Sequence, residues 1–352
     1  MSIRKIVLMI LMCMCAGVAV VLTIDRFLAQ EKDYSGGFKR LFRNEIVKSK
    51  KVRDLNYNSY YLAGVAENKI FLGNIVVPSH ILTVKSSLKD TTVVKLRFAE
   101  GSKLTEAALN VTVSPPNIFA IELMTPAFLR GTFDNLNMNY QSLPPGQVFG
   151  MPTAISTSSF ICKSYNNTED KSILTKVSLI PGECIVGKGI LERQTEGLFS
   201  MAGLILYDRA TASLVYVYYY RNEFIRLDTS LNVLYKSHTI DTITKVHLRV
   251  ATISSQKTRT LSAPPVYVNR KGYIFNNRIF IWSAVRSDVE EQNNFNSSLV
   301  IDTYSLATGR YEFSFRLPHA SAHNLSGFAV TDSAFIAVQD RYLFSYKVCW
   351  PD

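Results

Sequence analysis

Residues Gly203–His238 read GLILYDRATASLVYVYYYRNEFIRLDTSLNVLYKSH. Four runs rich in β-branched and aromatic residues stand out: Leu204–Asp208, Leu214–Tyr220, Glu223–Asp228 and Leu231–Lys236. Short polar turns part them, among them Arg221-Asn222 and Thr229-Ser230. Apolar runs of this length between turn residues are β-strands, so the stretch predicts a four-stranded antiparallel meander. A second copy runs from Gly272 to Leu317 through Ile279–Trp282, Leu299–Thr303 and Tyr311–Phe315. Further copies fit Tyr60–Phe98, Leu109–Leu143 and Thr153–Leu191, while Ser326–Val348 supplies only three strands.

First strands therefore begin near residues 60, 109, 153, 203, 273 and 326. That recurrence is blade spacing for a β-propeller. The expected fold is all-β: a six-bladed β-propeller, or seven-bladed if His238–Asn269, with its strand-like Val246–Val250, adds a unit. A β-sandwich array is the alternative. Asn44–Val52 is available to complete the three-stranded last unit, which would close the ring and remove open sheet edges.

The chain has 352 residues, 47% hydrophobic and 19% charged, which excludes a disordered chain. Its formal charge of +11 raises the question of a polyanionic partner. The charge is unevenly placed: eleven Lys or Arg against four acids through Arg53, and twenty-eight against twenty-four beyond. The aromatic residues alternate with aliphatic ones inside strands and read as core, so nucleic acid is not an expected partner.

Residues 6–24 are an uncharged apolar run behind Arg4 and Lys5, the length of a membrane span. Gly17-Val18-Ala19 keeps a cleaved signal peptide open as the competing reading. Cys13 and Cys15 each follow Met, against a lipoprotein anchor. The expected organisation is a cytoplasmic stub and transmembrane anchor over 1–30, a basic juxtamembrane stalk over 31–53, and the propeller over 54–352. Phe38, Leu41, Phe42 and Ile46 have helical spacing beside Lys39, Arg40 and Arg43, so the stalk reads either as an amphipathic helix on membrane lipid or as a solvated tether. The propeller is then expected outside the cytoplasm of a bacterial inner membrane, facing the periplasm. In that compartment Cys162 and Cys184 are the candidate disulfide, with unpaired buried cysteines as the alternative.

The run Val215–Ile225, with His238–Thr242 and Pro264–Asn269, resembles membrane-anchored propeller-like proteins of Bacteroidota whose activity is uncharacterised. The resemblance implies a periplasmic domain on the inner membrane and carries over no catalytic residue.

In a blade with strands A to D, the A–B and C–D turns lie on one face, and the B–C turns and D–A connections on the other. The long connections, Asn74–Ser79, Pro144–Pro152, Glu192–Ala202, Thr239–Asn269, Arg286–Ser297 and Pro318–Asn324, all belong to the second face. Elaborated loops on a rigid scaffold are where binding resides. Candidate binding residues there are Arg221, Asn222, His238, Asp241, Glu290, His319 and His323. His238, Asp241 and Glu290 would also suit acid–base chemistry in a propeller hydrolase or lyase. Neither a nucleophile elbow, a phosphate-binding glycine loop nor a Cys/His metal cluster is present, so no cofactor or metal is expected. A protein partner or small ligand is the leading expectation; an accessory role in a membrane complex, through anchor and stalk, is the other.

Overall fold

The computed structural model describes residues 3–28, 36–98, 109–122, 127–142, 149–166, 171–179, 182–195, 199–253, 258–318 and 325–351. Residues Met1–Ser35 form one unit and Gly36–Asp352 another.

In the first unit α1 spans Ile3–Leu28. The expected span over 6–24 falls within it, but the side chains of 6–8, 11 and 22–28 lie outside the described residues. Among the described residues no helix is long and apolar enough to cross a membrane.

The second unit is a six-bladed propeller; each blade is built on four antiparallel strands, in sequence order in blades 1 to 5. Its first strand, β1 (Val47–Asp54), is used last. Blade 1 holds β2 (Tyr60–Ala66), β3 (Lys69–Asn74), β4 (His80–Lys85) and β5 (Thr91–Lys95). The short β6 (Arg97–Phe98) then joins the edge of blade 2, whose strands are β7 (Leu109–Ser114), β8 (Asn117–Glu122), β9 (Ala127–Thr132) and β10 (Asn137–Ser142). Blade 3 holds β11 (Phe149–Ala154), β12 (Ser159–Asn166), β13 (Lys171–Ser178) and β14 (Glu183–Gly187). Blade 4 holds β15 (Gly203–Asp208), β16 (Ser213–Tyr218), β17 (Glu223–Asp228) and β18 (Val233–His238). A hairpin, β19 (Val250–Ile253) and β20 (Thr258–Leu261), stands alone before blade 5, which holds β21 (Asn269–Phe275), β22 (Arg278–Ser283), β23 (Ser298–Ser305) and β24 (Tyr311–Pro318). Blade 6 holds β25 (Leu325–Val330), β26 (Ala334–Gln339) and β27 (Tyr342–Val348), and β1 pairs antiparallel with β27 from Val47 opposite Val348 to Asp54 opposite Tyr342.

Burial explains the sequence pattern. Second strands are packed on both faces by neighbouring blades, so β16 (SLVYVY) and β8 (NIFAIE) are buried at every position and read as unbroken apolar runs. The outer strand β18 (VLYKSH) alternates with solvent. Each of the six blade junctions has its own apolar cluster among the described residues. Leu204, Phe224, Ile281 and Tyr304 fill the junction of blades 4 and 5, and Leu72, Val84, Val338 and Leu343 that of blades 6 and 1. At the junction of blades 1 and 2 the inner strands touch so closely that a Cβ at Gly64 would overlap the Val113 carbonyl.

Three expectations are corrected. The seventh unit is only the β19–β20 hairpin within the connection from blade 4 to blade 5, too short to fill a blade. No amphipathic helix occupies Phe38–Ile46: residues 38–43 are non-helical, with Phe38 and Arg40 buried, Lys39 and Leu41 exposed, and a single 3-10 turn follows at Asn44–Ile46. Cys162 and Cys184 are free. They sit on β12 and β14, with β13 between them, and two strand spacings of about 4.8 Å exceed what a disulfide spans. Burial pushes both thiols' pKa up.

Candidate functional site

The two faces differ as the loop lengths require. On one, β2–β3 turns through Glu67-Asn68 and β21–β22 through Asn276-Asn277. Both asparagines have positive φ (46° and 57°), the geometry of a two-residue type I′ turn that Asn tolerates. On the other face lie the β22–β23 connection, with α2 (Gln292–Asn296), and the β18–β21 connection, with the hairpin.

The chain arrives at this second face. Gly36 O accepts from Thr242 Oγ1 at 3.1 Å, and Gly37 N–H donates to Asp288 Oδ1 at 3.1 Å, so the segment lies between the long connections of blades 4 and 5. Phe38 packs with Ile240, Ile243, Val268 and Val285. Arg40 then enters blade 5 side-on. It donates to both carboxylate oxygens of Asp302 (2.7 and 3.0 Å), to Glu290 Oε2 (2.5 Å), to the Val285 carbonyl (2.9 Å) and to Ser283 Oγ (2.8 Å). Leu41 and Arg43 bond to Ser314 of β24 before the chain continues into β1. Residues 36–54 therefore strap blade 5 and close blade 6.

Glu290 is part of this hub. Ser287 N–H and Oγ donate to it at 3.0 and 2.7 Å, and Arg316 approaches at 3.2 Å. Burial works to raise its carboxyl pKa, but the Arg40 charge and the Ser287 donors outweigh it and hold the pKa below its ordinary value.

Arg221 and Asn222 occupy the B–C turn of blade 4 and are buried, 1% and 5% exposed. The Arg221 guanidinium lies 3.5 Å from the centre of the Tyr218 ring. It donates to Glu223 at 2.9 Å and to the carbonyls of Glu192 and Ser200 at 3.1 and 3.3 Å, in the connection from blade 3. Asn222 donates to the Asp241 carbonyl at 2.6 Å, and its backbone pairs with Thr239 and Ile243 in the connection to blade 5. Between them these two side chains hold both neighbouring long connections, so they would meet a partner through the loops they position. Asn269, at the start of β21, ties the same turn through Tyr218 O and Arg221 O. Arg221 Nη2, Asn222 Oδ1, Glu223 Oε1 and Asn269 Oδ1 are buried there without a hydrogen-bond partner.

Asp241 accepts from Thr239 Oγ1 at 2.6 Å and from Ile243 N–H at 3.0 Å. Burial pushes its pKa up to about 6, against the lowering effect of those two bonds. His238 is exposed at the end of β18, and no hydrogen bond joins it to Asp241. His319 and His323 lie outside the described residues. The structure thus brings Arg221, Asn222 and Asp241 together, places Glu290 in the Arg40 hub, and leaves His238 apart.

Arg40, Asp302 and Asn269 carry no recognisable motif, and Arg40 is hidden in a basic run that counts as surface charge. A polar groove of about 390 Å³ lies away from all of these, between blades 2 and 3, lined by Arg130, Thr132, Asn135, Asn137, Thr157 and Ser158.

In sequence, no family model and no curated protein matches the chain. In structure it is similar to a member of the DUF4221 family from Bacteroides vulgatus (TM-score 0.55, 11% identity, covering 86% of this chain and 96% of that one). It is also similar to a candidate exported protein from Bacteroides fragilis (TM-score 0.55, 9% identity, covering 90% of this chain and 99% of that one). At these identities the likeness is one of fold.

Proposed function

We propose that the chain is a membrane-anchored binding module: α1 holds it in the inner membrane, the propeller lies outside the cytoplasm, and the face bearing the long connections receives a protein partner. The observation that carries this reading is the asymmetry of the connections. Two-residue turns close β2–β3 and β21–β22 on one face, whereas α2 and the β19–β20 hairpin elaborate the other. The rigid inter-blade cores and the Arg221, Asn222 and Arg40 anchors position these loops, an arrangement suited to recognition. A binding rather than hydrolytic role is supported by the carboxylates, since Asp241 and Glu290 are both engaged in holding loops.

Photo-crosslinking residues placed one at a time at Gln292 and Asn293 on the elaborated face, and at Thr211 and Asn232 on the opposite one, test the reading in native membranes. Discrete adducts are expected from the first pair alone. Adducts confined to the second pair, or to a further crosslinker placed at Asn135 in the blade 2–3 groove, would move the site off the proposed face.

The unpartnered atoms of Arg221, Asn222, Glu223 and Asn269 favour a second reading, a small polar ligand beside the inner end of blade 4, because buried polar groups ordinarily find partners. A thermal-shift screen of small amides and polyols checks it. Stabilisation that survives in the Asn222→Asp variant at full strength would count against that position.

A further inference from the structure

The β3–β4 connection of blade 1 presents Ile75, Val76 and Val77 to solvent, 60%, 76% and 36% exposed. Their backbone is fixed from beneath. Asn74 Oδ1 accepts from the N–H groups of Val76 and Val77 at 2.8 and 3.1 Å, Ile75 N–H donates to Ser59 O at 2.9 Å, and Pro78 and Ser79 are buried behind them. Three consecutive apolar side chains are therefore held out in water by an ordered turn. Tyr57, 67% exposed, stands in the adjoining β1–β2 connection, whose Ser59 accepts that bond. On the other flank, Leu96 N–H donates to Ser79 O at 2.7 Å, which sets the exposed Lys95 and Arg97 at the rim of the turn.

An apolar tip with a cationic rim matches an anionic bilayer surface: the apolar groups enter the acyl boundary while the cations stay at phosphate level. Among the described residues, blade 5 does not repeat the match. On blade 5 the exposed Val289 stands between Asp288 and Glu291, both exposed, and the nearby Arg286 and Arg316 are engaged with Glu290. The tip also shares its face with Gly36 and Gly37.

We propose that Tyr57 and Ile75–Val77 form a lipid-contact tip that enters the headgroup region of an anionic membrane, with Lys95 and Arg97 pairing to phosphate. The proposal rests on the membrane-anchored reading above and adds to it a second point of contact, on a different blade from the one where the chain arrives.

The test uses the full chain reconstituted in vesicles of phosphatidylglycerol and phosphatidylethanolamine, with and without brominated acyl chains. Val76→Trp is compared with Val93→Trp, an exposed apolar position on the outer strand of the same blade; both variants keep Trp282 and Trp350 as a common background. Emission from Val76→Trp should be blue-shifted and quenched by the brominated lipid, and that from Val93→Trp should be unchanged. Adding Lys95→Glu and Arg97→Glu to Val76→Trp should remove the quenching. Retention of the chain in the vesicle pellet at alkaline pH reports separately on α1. Retention without quenching at 76 overturns the tip and leaves the anchor standing; release at alkaline pH, with quenching seen beforehand, sinks the anchor and supports the tip. A blue shift that grows with protein density and ignores the brominated lipid assigns the patch to a second copy of the chain and overturns the proposal.

Discussion

Replacing Arg40 by Met keeps an apolar stem but removes five donated hydrogen bonds, leaving Asp302 and Glu290 charged and buried. Breaking a buried pair from one side costs about 3–5 kcal/mol. Arg40→Met should lower the unfolding free energy measured in urea by that order, and Arg40→Lys should recover only part of it, because an ammonium lacks the fork that spans both Asp302 oxygens. Equal stability of Arg40→Met and wild type would show that the strap is not held this way. Asp241 gives a pH-dependent counterpart. Its pKa is raised from the ordinary 3.8 to about 6, so the stability linked to its protonated form is complete below about pH 4 and is lost as the pH rises through about 6. Asp241→Asn retains an acceptor for Ile243 and does not ionise. Its unfolding free energy should match wild type near pH 4 and exceed it by pH 7, by about 3 kcal/mol at most. A gap that is constant with pH would contradict the assignment. Neither residue announced its role in the sequence. Asp241 was legible as a candidate because it follows His238 at the end of a strand, but what it touches depends on Thr239 and Ile243, within its own turn. Arg40 was not legible, since a charge that is paired by residues some 250 positions away looks like any other member of a basic cluster.

At the scale of elements, the four-strand units were readable because strands packed on both faces have to be continuously apolar and the tight turns between them have to be polar. The strap was misread for a related reason. Phe38, Arg40 and Phe42 face inward with period two, the period of an extended chain, but Arg40 in the inward set makes that alternation look broken and leaves the helical spacing of Phe38, Leu41 and Phe42 as the visible signal. The cysteine pair failed on a count of strands: Cys162 and Cys184 share a face of blade 3 but have β13 between them. The strap and β1 also carry a prediction about assembly. A chain beginning at Gly36 should be monomeric by light scattering. One beginning at Leu55 lacks β1, exposes the β27 edge and strips Arg40 from Asp302, so it should aggregate. A well-behaved monomer from the shorter chain would mean that blade 6 does not need its outer strand.

For the molecule as a whole, the formal charge of +11 divides into a basic N-terminal stretch and a nearly balanced remainder. The structure refines that division, because Arg40 is consumed inside blade 5 and Arg53 is spent on the carbonyls of Leu88 and Lys89. The six four-strand units and the elaborated face could be read from spacing, but not whether His238–Asn269 added a seventh blade. The contents of that face could not, since they depend on which loops Arg221, Asn222, Asn269 and Arg40 hold together across blades. All of it depends on the N-terminal strap and strand being integral to the propeller, for they close blade 6 and bring the chain to the face proposed for binding. Hydrogen exchange on the full chain measures this most directly. The amides of Val47–Asp54 that bond to β27 should exchange as slowly as those of Tyr342–Val348 and in the same cooperative step. Exchange of Val47–Asp54 at the rate of unstructured chain, with Tyr342–Val348 still protected, would contradict the closure and with it the assignment of the face.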